Sequence, residues 1–198
     1  MLHDLQNFFC NSVLYIGYFI KIFKLSYLKR VHHLDYTGRY FSSTPELNGY
    51  EGCYPVKRVL KQLPITENDS IIDVGCGKGL FFYYAKKFPF KRIDGLEILP
   101  DLAQTATNNS LKLRDARIHV FNCDARCFNY DHYNFFFINN PFSKKLMADF
   151  ANMLKESVRT SKRKIIVIYQ FPFHKDVFTE LGFKIFYEKR MNCILTFE

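Results

Sequence analysis

The feature that most constrains the fold is the regular alternation of short β-rich runs with helical stretches after Pro64. Parallel strands joined by crossover helices produce this order, and it predicts a doubly wound α/β sheet. We expect strands near Ser70–Val74, Arg92–Glu97, Arg117–Phe121, Tyr133–Asn139 and Lys164–Gln170. We expect helices near Val56–Leu63, Leu80–Phe88, Leu99–Asn109, Lys144–Arg159 and His174–Leu181.

Two further β-rich runs, Lys184–Lys189 and Asn192–Phe197, end the sequence with no helical stretch between them. They predict an antiparallel hairpin at the sheet edge. The expected fold is therefore a mostly parallel seven-stranded sheet with a C-terminal antiparallel hairpin and an N-terminal helical extension. A length of 198 residues suits one such domain. We place the extension at residues 1–63 and the domain at residues 64–198.

Three glycines follow the first predicted strand, in the run from Asp73 to Gly79, and a helix is expected directly after them. Glycine allows a tight turn there and lets a ligand approach the backbone without a Cβ in the way. A strand-to-helix turn without a ligand is the alternative. A dinucleotide fingerprint GxGxxG would need its third glycine at Leu80, so the spacing disfavours a dinucleotide.

Acidic residues follow the next two strands. Glu97, followed by Ile98, ends the second strand, where a carboxylate can accept hydrogen bonds from both hydroxyls of a ribose. Asp124 and Ala125 follow the third strand, where a carboxylate can accept from an exocyclic amine and a backbone amide can donate to a ring nitrogen. Exposed acids in ordinary turns are the alternative in both places.

The fourth strand ends in Asn139-Asn140-Pro141-Phe142, at the carboxyl end of a central strand. Ligands bind at that end of open α/β sheets. A turn built from Asn and Pro explains the same residues without a ligand.

In this order and spacing, the motifs resemble those of class I S-adenosylmethionine-dependent methyltransferases, whose first motif is an acidic residue followed by xGxGxG. The resemblance implies S-adenosyl-L-methionine as the cofactor. It also implies a cofactor site made of Asp73, Gly75, Cys76, Gly77, Gly79, Glu97, Ile98, Asp124 and Ala125. In that family the glycine loop faces the methionine half of the cofactor, and the acid at position 73 helps to hold its amino group.

The segment Asn139 to Phe142 resembles the (Asn/Asp)-Pro-Pro-(Tyr/Phe) motif of amino-methylating enzymes. One proline is missing, so either Asn139 or Asn140 matches the amide that holds the acceptor. The resemblance implies direct in-line methyl transfer to a nitrogen or oxygen acceptor. A cofactor-binding partner subunit without catalysis and an NAD-type oxidoreductase are the competing interpretations.

Upstream, Asn48 to Pro55 combines turn-forming residues with aromatic ones. It resembles a segment of bacterial methyltransferases, and more remotely of Dot1-type enzymes, that closes over the cofactor. Tyr50, Glu51 and Tyr54 are therefore candidates for this lid, with a simple connecting loop as the alternative.

The stretch Phe8–Leu28 is the most apolar of the sequence, but polar residues and lysines interrupt it, which argues against a membrane span. Two interpretations stay open: a helix packed on the domain, or peripheral membrane contact through residues 8–30.

The formal net charge of +9 is spread along the chain, which favours a solvated surface over a polyanion site. We therefore expect the methyl acceptor to be a small molecule or a protein rather than nucleic acid. Six cysteines occur without a CxxC pair or zinc-ligand spacing, so no metal site is expected and free thiols suit a cytoplasmic protein. The sequence leaves the oligomeric state open.

Overall fold

The computed structural model describes residues 22–38, 40, 45–49, 56–189 and 191–198. Helix α1 covers residues 22–32 of this part. The other elements are α2 (Lys57–Leu60), β1 (Ser70–Val74), α3 (Leu80–Ala85), β2 (Arg92–Glu97), α4 (Pro100–Leu113), β3 (Ile118–Asn122), a short 3-10 helix (Ala125–Cys127), β4 (Phe135–Ile138), α5 (Lys144–Ser161), β5 (Ile165–Gln170), α6 (Lys175–Glu180), β6 (Lys184–Lys189) and β7 (Asn192–Phe197).

In the described part of the chain, seven strands form one sheet in the order β3-β2-β1-β4-β5-β7-β6. Strands β1 to β5 pair in parallel, whereas β7 pairs antiparallel with both β5 and β6. The predicted fold class is confirmed, including the C-terminal hairpin, whose second strand inserts beside β5 and leaves β6 at the edge.

Some predicted boundaries differ from the structure, for local reasons. Helix α3 ends at Ala85 instead of Phe88, and α2 ends at Leu60 instead of Leu63. Pro89 and Pro64 follow these segments, and a residue before proline is disfavoured in the helical region. Helix α4 instead continues past the predicted Asn109 to Leu113, with Arg114 in a left-handed conformation at its end.

Alternating side chains of the buried strands build a core on each face of the sheet. In β1, Ile71 packs with helices α1 to α3 on one face, and Ile72 packs with α5 on the other. Both residues are fully buried, as expected for a parallel sheet covered by helices on both faces.

Residues preceding α2 belong to the same core. Leu28 of α1, Leu34 and Tyr36 are buried in the cluster that contains Ile71. Asn109 of α4 donates its amide to the carbonyl of Asp35 and accepts from the Asp35 amide, each at 2.9 Å. The segment after α1 is therefore fastened to the domain. The proposed division at residue 63 stays a prediction.

A second connection, which includes an ion pair, joins the segment after α1 to the glycine loop. Lys78 Nζ donates to the Thr37 carbonyl at 2.6 Å and lies 3.4 Å from the Asp35 carboxylate. Burial by itself raises the pKa of Asp35, but hydrogen bonds from Thr37, the charge of Lys78 and a hydrogen bond from Lys29 outweigh it and lower the pKa to about 2. The side chain of Lys78 thus ties the glycine loop to the N-terminal segment.

Candidate active site

A cavity of about 460 Å³ opens at the carboxyl ends of β1, β2 and β4. Strand β1 lies between β2 and β4, so the strand order changes direction there. Crevices at such switch points are the usual ligand sites of open α/β sheets, and the volume falls in the range of small-molecule sites.

The glycine loop forms the floor of the cavity. Gly75, Gly77 and Gly79 have φ angles of +78°, +54° and +76°, a left-handed conformation that residues with a Cβ rarely adopt. A Cβ on Gly75 would also lie 2.7 Å from the Cβ of Pro141. The sequence predicted this loop correctly as a tight turn, and the structure adds its close contact with the segment after β4.

Glu97 braces this loop from the end of β2. Its Oε2 accepts a hydrogen bond from the Gly77 amide at 2.8 Å, and its Oε1 accepts from the Leu99 amide at 3.0 Å. Burial raises the pKa of Glu97, and the backbone hydrogen bonds oppose that rise. Because each carboxylate oxygen has two lone pairs, the side chain can still accept from a ligand.

Asp73 lies at the cavity with a side chain only 3% exposed. Burial, and then the nearby charge of Glu97, raise its pKa. Neither a hydrogen bond nor a positive charge from the described residues opposes this rise in the pKa of Asp73. A buried carboxylate without a partner is costly, so a ligand ammonium at this point would relieve the cost.

The two asparagines after β4 have different surroundings. The Oδ1 of Asn139 is buried without a hydrogen-bond partner in the described part of the chain, and Asn139 lines the cavity. Asn140 has a φ of +47°, and its Oδ1 accepts from the Tyr169 hydroxyl at 3.0 Å. Asn140 does not line the cavity. The carboxamide available to a ligand is therefore that of Asn139.

Pro141 and Phe142 line the cavity next to Asn139. Phe142 is buried, lines the cavity and packs against Phe150 of α5 at 6.0 Å between ring centroids. Its backbone forms an antiparallel bridge with Leu47.

Asp124 lies at the cavity but is already paired. Arg126 donates from Nη2 to Asp124 Oδ2 at 2.6 Å, and its backbone amide donates to Oδ1 at 2.8 Å. The hydrogen bond from the Arg126 side chain lowers the pKa of Asp124. A carboxylate held in this way is a weak base. Sequence reasoning missed Arg126, which lines the same cavity.

Residues 46–49 cover part of the cavity. The Ser143 amide donates to the Glu46 carbonyl at 2.8 Å, and the Asn48 amide donates to the Pro141 carbonyl at 2.9 Å. Asn48 Nδ2 also donates to the Asn140 carbonyl at 2.7 Å. The predicted lid residues Tyr50, Glu51 and Tyr54 lie outside the described residues, so their role stays a prediction.

Helix α5 supplies a wall that sequence reasoning did not assign to the site. Its first turns contribute Lys145, Leu146, Asp149, Phe150 and Met153 to the cavity lining. Their i, i+3 and i+4 spacing, directly after the Asn-Pro motif, was the signal that could have revealed this face. The remaining predicted residues Cys76, Ile98 and Ala125 also line the cavity, beside Leu99 and Leu102.

The described residues lack two features. They contain no group of three His, Cys, Asp or Glu side chains placed to hold a metal ion. No helix among them is both long and apolar enough to cross a membrane.

No protein-family model matches this chain, and no curated protein matches it. Several solved structures, in contrast, resemble this chain. An S-adenosylmethionine-dependent methyltransferase from Aquifex aeolicus is 16% identical with a TM-score of 0.56, covering 71% of this chain and 88% of its own. An RNA methyltransferase from Salinibacter ruber, in complex with S-adenosyl-L-homocysteine, is 15% identical with a TM-score of 0.55, covering 74% and 92%. A ribosomal protein L11 methylase from Lactobacillus delbrueckii subsp. bulgaricus is 16% identical with a TM-score of 0.53, covering 70% and 72%.

The chain therefore has the class I methyltransferase fold, as the motif resemblance implied. Identities this low establish the fold and leave the reaction to be argued from the site. The more remote resemblance to Dot1-type enzymes stays a prediction.

Proposed function

We propose that this protein is an S-adenosylmethionine-dependent methyltransferase that acts on a nitrogen or oxygen acceptor. The observation that carries the proposal is Asp73, a buried carboxylate without a partner in the described chain, facing a cavity beside three left-handed glycines. This arrangement suits a ligand that brings both an ammonium group and atoms that approach the backbone closely.

The residues at the cavity fit the parts of that cofactor. Asp73 would accept from its ammonium, and Glu97 would accept from the ribose hydroxyls with the lone pairs that Gly77 and Leu99 leave free. Ile98 and Leu102 offer apolar surface to a planar ring. Asp124 can accept from an exocyclic amine only with the lone pairs that Arg126 leaves free.

When bound, S-adenosylmethionine supplies a methyl group activated by the positive sulfur. The protein then needs to hold the acceptor close to that carbon and in line with the bond that breaks, and such positioning accounts for much of the acceleration. We assign this task to Asn139, because the residue lines the cavity and its buried Oδ1 has no donor in the described part of the chain. An acceptor with an N–H or O–H group would satisfy it.

Asp124 is a poor candidate for a general base because its ion pair with Arg126 lowers its pKa. An acceptor that is already neutral and nucleophilic would need no base. Glu51, the acid of the predicted lid, lies outside the described residues.

Calorimetry and a transfer assay test the proposal separately. S-adenosylmethionine and S-adenosylhomocysteine should each bind and raise the melting temperature, since a ligand stabilises the state that binds it. NAD should do neither. Binding of NAD alone would overturn the cofactor assignment.

Catalysis is tested by incubating the protein and methyl-labelled cofactor with fractionated cell extract. We expect label to enter one fraction, and Asp73→Asn to reduce the transfer about tenfold or more when the cofactor concentration is below saturation. Cofactor binding without transfer to any fraction would instead favour the interpretation as a partner subunit.

A further inference from the structure

The outer face of α1 is apolar and aromatic although the helix is firmly packed on its other side. Leu25 and Leu28 are buried in the core, and Lys24 Nζ donates to the Tyr84 hydroxyl at 3.1 Å. On the opposite side, Phe23 is 78% exposed, and Tyr27 and Val31 are each 50% exposed. We call Phe23, Tyr27 and Val31 the stripe of α1. Because the other side of the helix is packed in the core, the stripe faces away from the domain.

The spacing of the stripe continues along the sequence. Phe23, Tyr27 and Val31 follow one another at intervals of one helical turn, and the same helical spacing places apolar residues at Phe9, Val13, Ile16 and Ile20. In the described helix, Phe23, Tyr27 and Val31 form a contiguous exposed apolar face, and exposed apolar surface of this kind marks an interaction site.

The charged residues of α1 itself are all basic, although Lys29 Nζ lies 3.3 Å from the carboxylate of Asp35, which follows the helix. Between Asp4 and Asp35 the sequence has no acidic residue, but it contains Lys21, Lys24, Lys29 and Arg30. Arg30 is exposed and lies on the helix between Phe23 and Val31. Helix α2 packs into the same core cluster and adds exposed Lys57 and Arg58.

We propose that the outer face of α1 binds the surface of a membrane that contains anionic lipids. Aromatic and aliphatic side chains with neighbouring cations, and no acids, form the pattern of interfacial helices: the apolar groups enter the headgroup boundary and the cations pair with lipid phosphates. If α1 bound a protein partner with a neutral surface, acidic residues on the helix would be tolerated, so their absence favours an anionic lipid surface. This surface is separate from the cavity, so its test is independent of the proposed reaction.

The test is sedimentation of the full chain with vesicles of equal parts phosphatidylcholine and phosphatidylglycerol, compared with pure phosphatidylcholine. The wild type should bind the anionic vesicles, and added salt should weaken binding because it screens the charges. Arg30→Glu should reduce the partition coefficient about fivefold or more. Phe23→Ser should reduce it by about tenfold.

Matched controls lie elsewhere on the surface. Leu111→Ser changes a side chain that is 71% exposed on α4, and Lys184→Glu reverses an exposed charge on β6. Both should bind vesicles like the wild type, and all four variants should keep the wild-type melting temperature.

Three outcomes would overturn the proposal. The first is failure to bind anionic vesicles together with a lower melting temperature for Phe23→Ser, which would indicate that residues 1–21 of the same chain cover the stripe. The second is a concentration-dependent dimer that Phe23→Ser dissociates without any vesicle binding. The third is an equal loss of vesicle binding in the α1 variants and in their controls.

Discussion

Gly75 and Pro141 are in such close contact that a Cβ on Gly75 would lie 2.7 Å from the Cβ of Pro141. The contact joins the glycine loop after β1 to the asparagine motif after β4. Parallel pairing of the two strands, with Val74 beside Ile138, brings these loops to one edge of the sheet. The proposed cofactor half and the proposed acceptor half of the cavity are therefore in direct contact.

Gly75→Ala should destabilise the protein by about 2 kcal/mol or more, because a left-handed φ costs a residue with a Cβ about 1–2 kcal/mol and the contact adds to it. Urea denaturation measures the change. Pro141→Gly removes the opposing Cβ, so the double variant should lose less than the sum of the single variants. Strict additivity would mean that the two loops are not in steric contact.

Asp73→Asn should raise the stability of the ligand-free protein while weakening cofactor binding about tenfold to a hundredfold, through loss of a charge-assisted hydrogen bond. The pKa of Asp73 is raised in the folded state above its ordinary value of 3.8. Between 3.8 and the raised pKa, the folded protein therefore binds more protons than the unfolded chain. The free energy of unfolding falls as the pH rises from the first of these pKa values to the second.

The measurement is the free energy of unfolding against pH for the wild type and Asp73→Asn, each without cofactor. Relative to the variant, the wild type should lose stability as pH rises above about 4, and calorimetry at neutral pH should show the weaker binding. If the two curves of unfolding free energy against pH run parallel and the affinity for the cofactor is unchanged, burial does not destabilise the ionised carboxylate of Asp73 and the carboxylate does not contact the cofactor.

Asn139→Ala should bind S-adenosylmethionine nearly as well as the wild type but transfer methyl at least about tenfold more slowly, equivalent to about 1.4 kcal/mol of transition-state stabilisation. Asn140→Ala is the comparison. It should lose about 1 kcal/mol of stability with the Tyr169 hydrogen bond, while its turnover falls less. Slower turnover in Asn140→Ala than in Asn139→Ala would assign the acceptor contact to Asn140.

Glu97→Ala should weaken cofactor binding by about 1–3 kcal/mol through loss of hydrogen bonds to the ribose. It should also loosen the glycine loop, since the Gly77 amide loses its acceptor. Glu97→Gln separates the effect on cofactor binding from the effect on the loop. The Gly77 and Leu99 amides bind different oxygens of Glu97, so the single amide oxygen of Gln can replace only one of these acceptors. Hydrogen exchange at Gly77 and calorimetry measure the two effects. Wild-type affinity in both folded variants would make Glu97 a purely structural acid.

Local patterns in the sequence determined the order of strands and helices, the C-terminal hairpin and the glycine loop. These depend on neighbours in the chain, because side-chain periodicity and glycine conformations are local properties. Helix ends were less predictable. Asn109 is a poor helix former, yet its side chain bonds both backbone groups of Asp35, and α4 continues past it to Leu113.

Only the tertiary structure decided which asparagine faces the cavity and which acid is available to a ligand. The missing proline left Asn139 and Asn140 equivalent in sequence, and the distinction comes from Tyr169, a distant residue on β5 that binds Asn140. Asp124 looked as free as Asp73 until the fold placed Arg126 against one and buried the other. Hydrogen bonding and burial depend on residues far apart in the chain, so spacing alone could locate the site but not determine the state of its side chains.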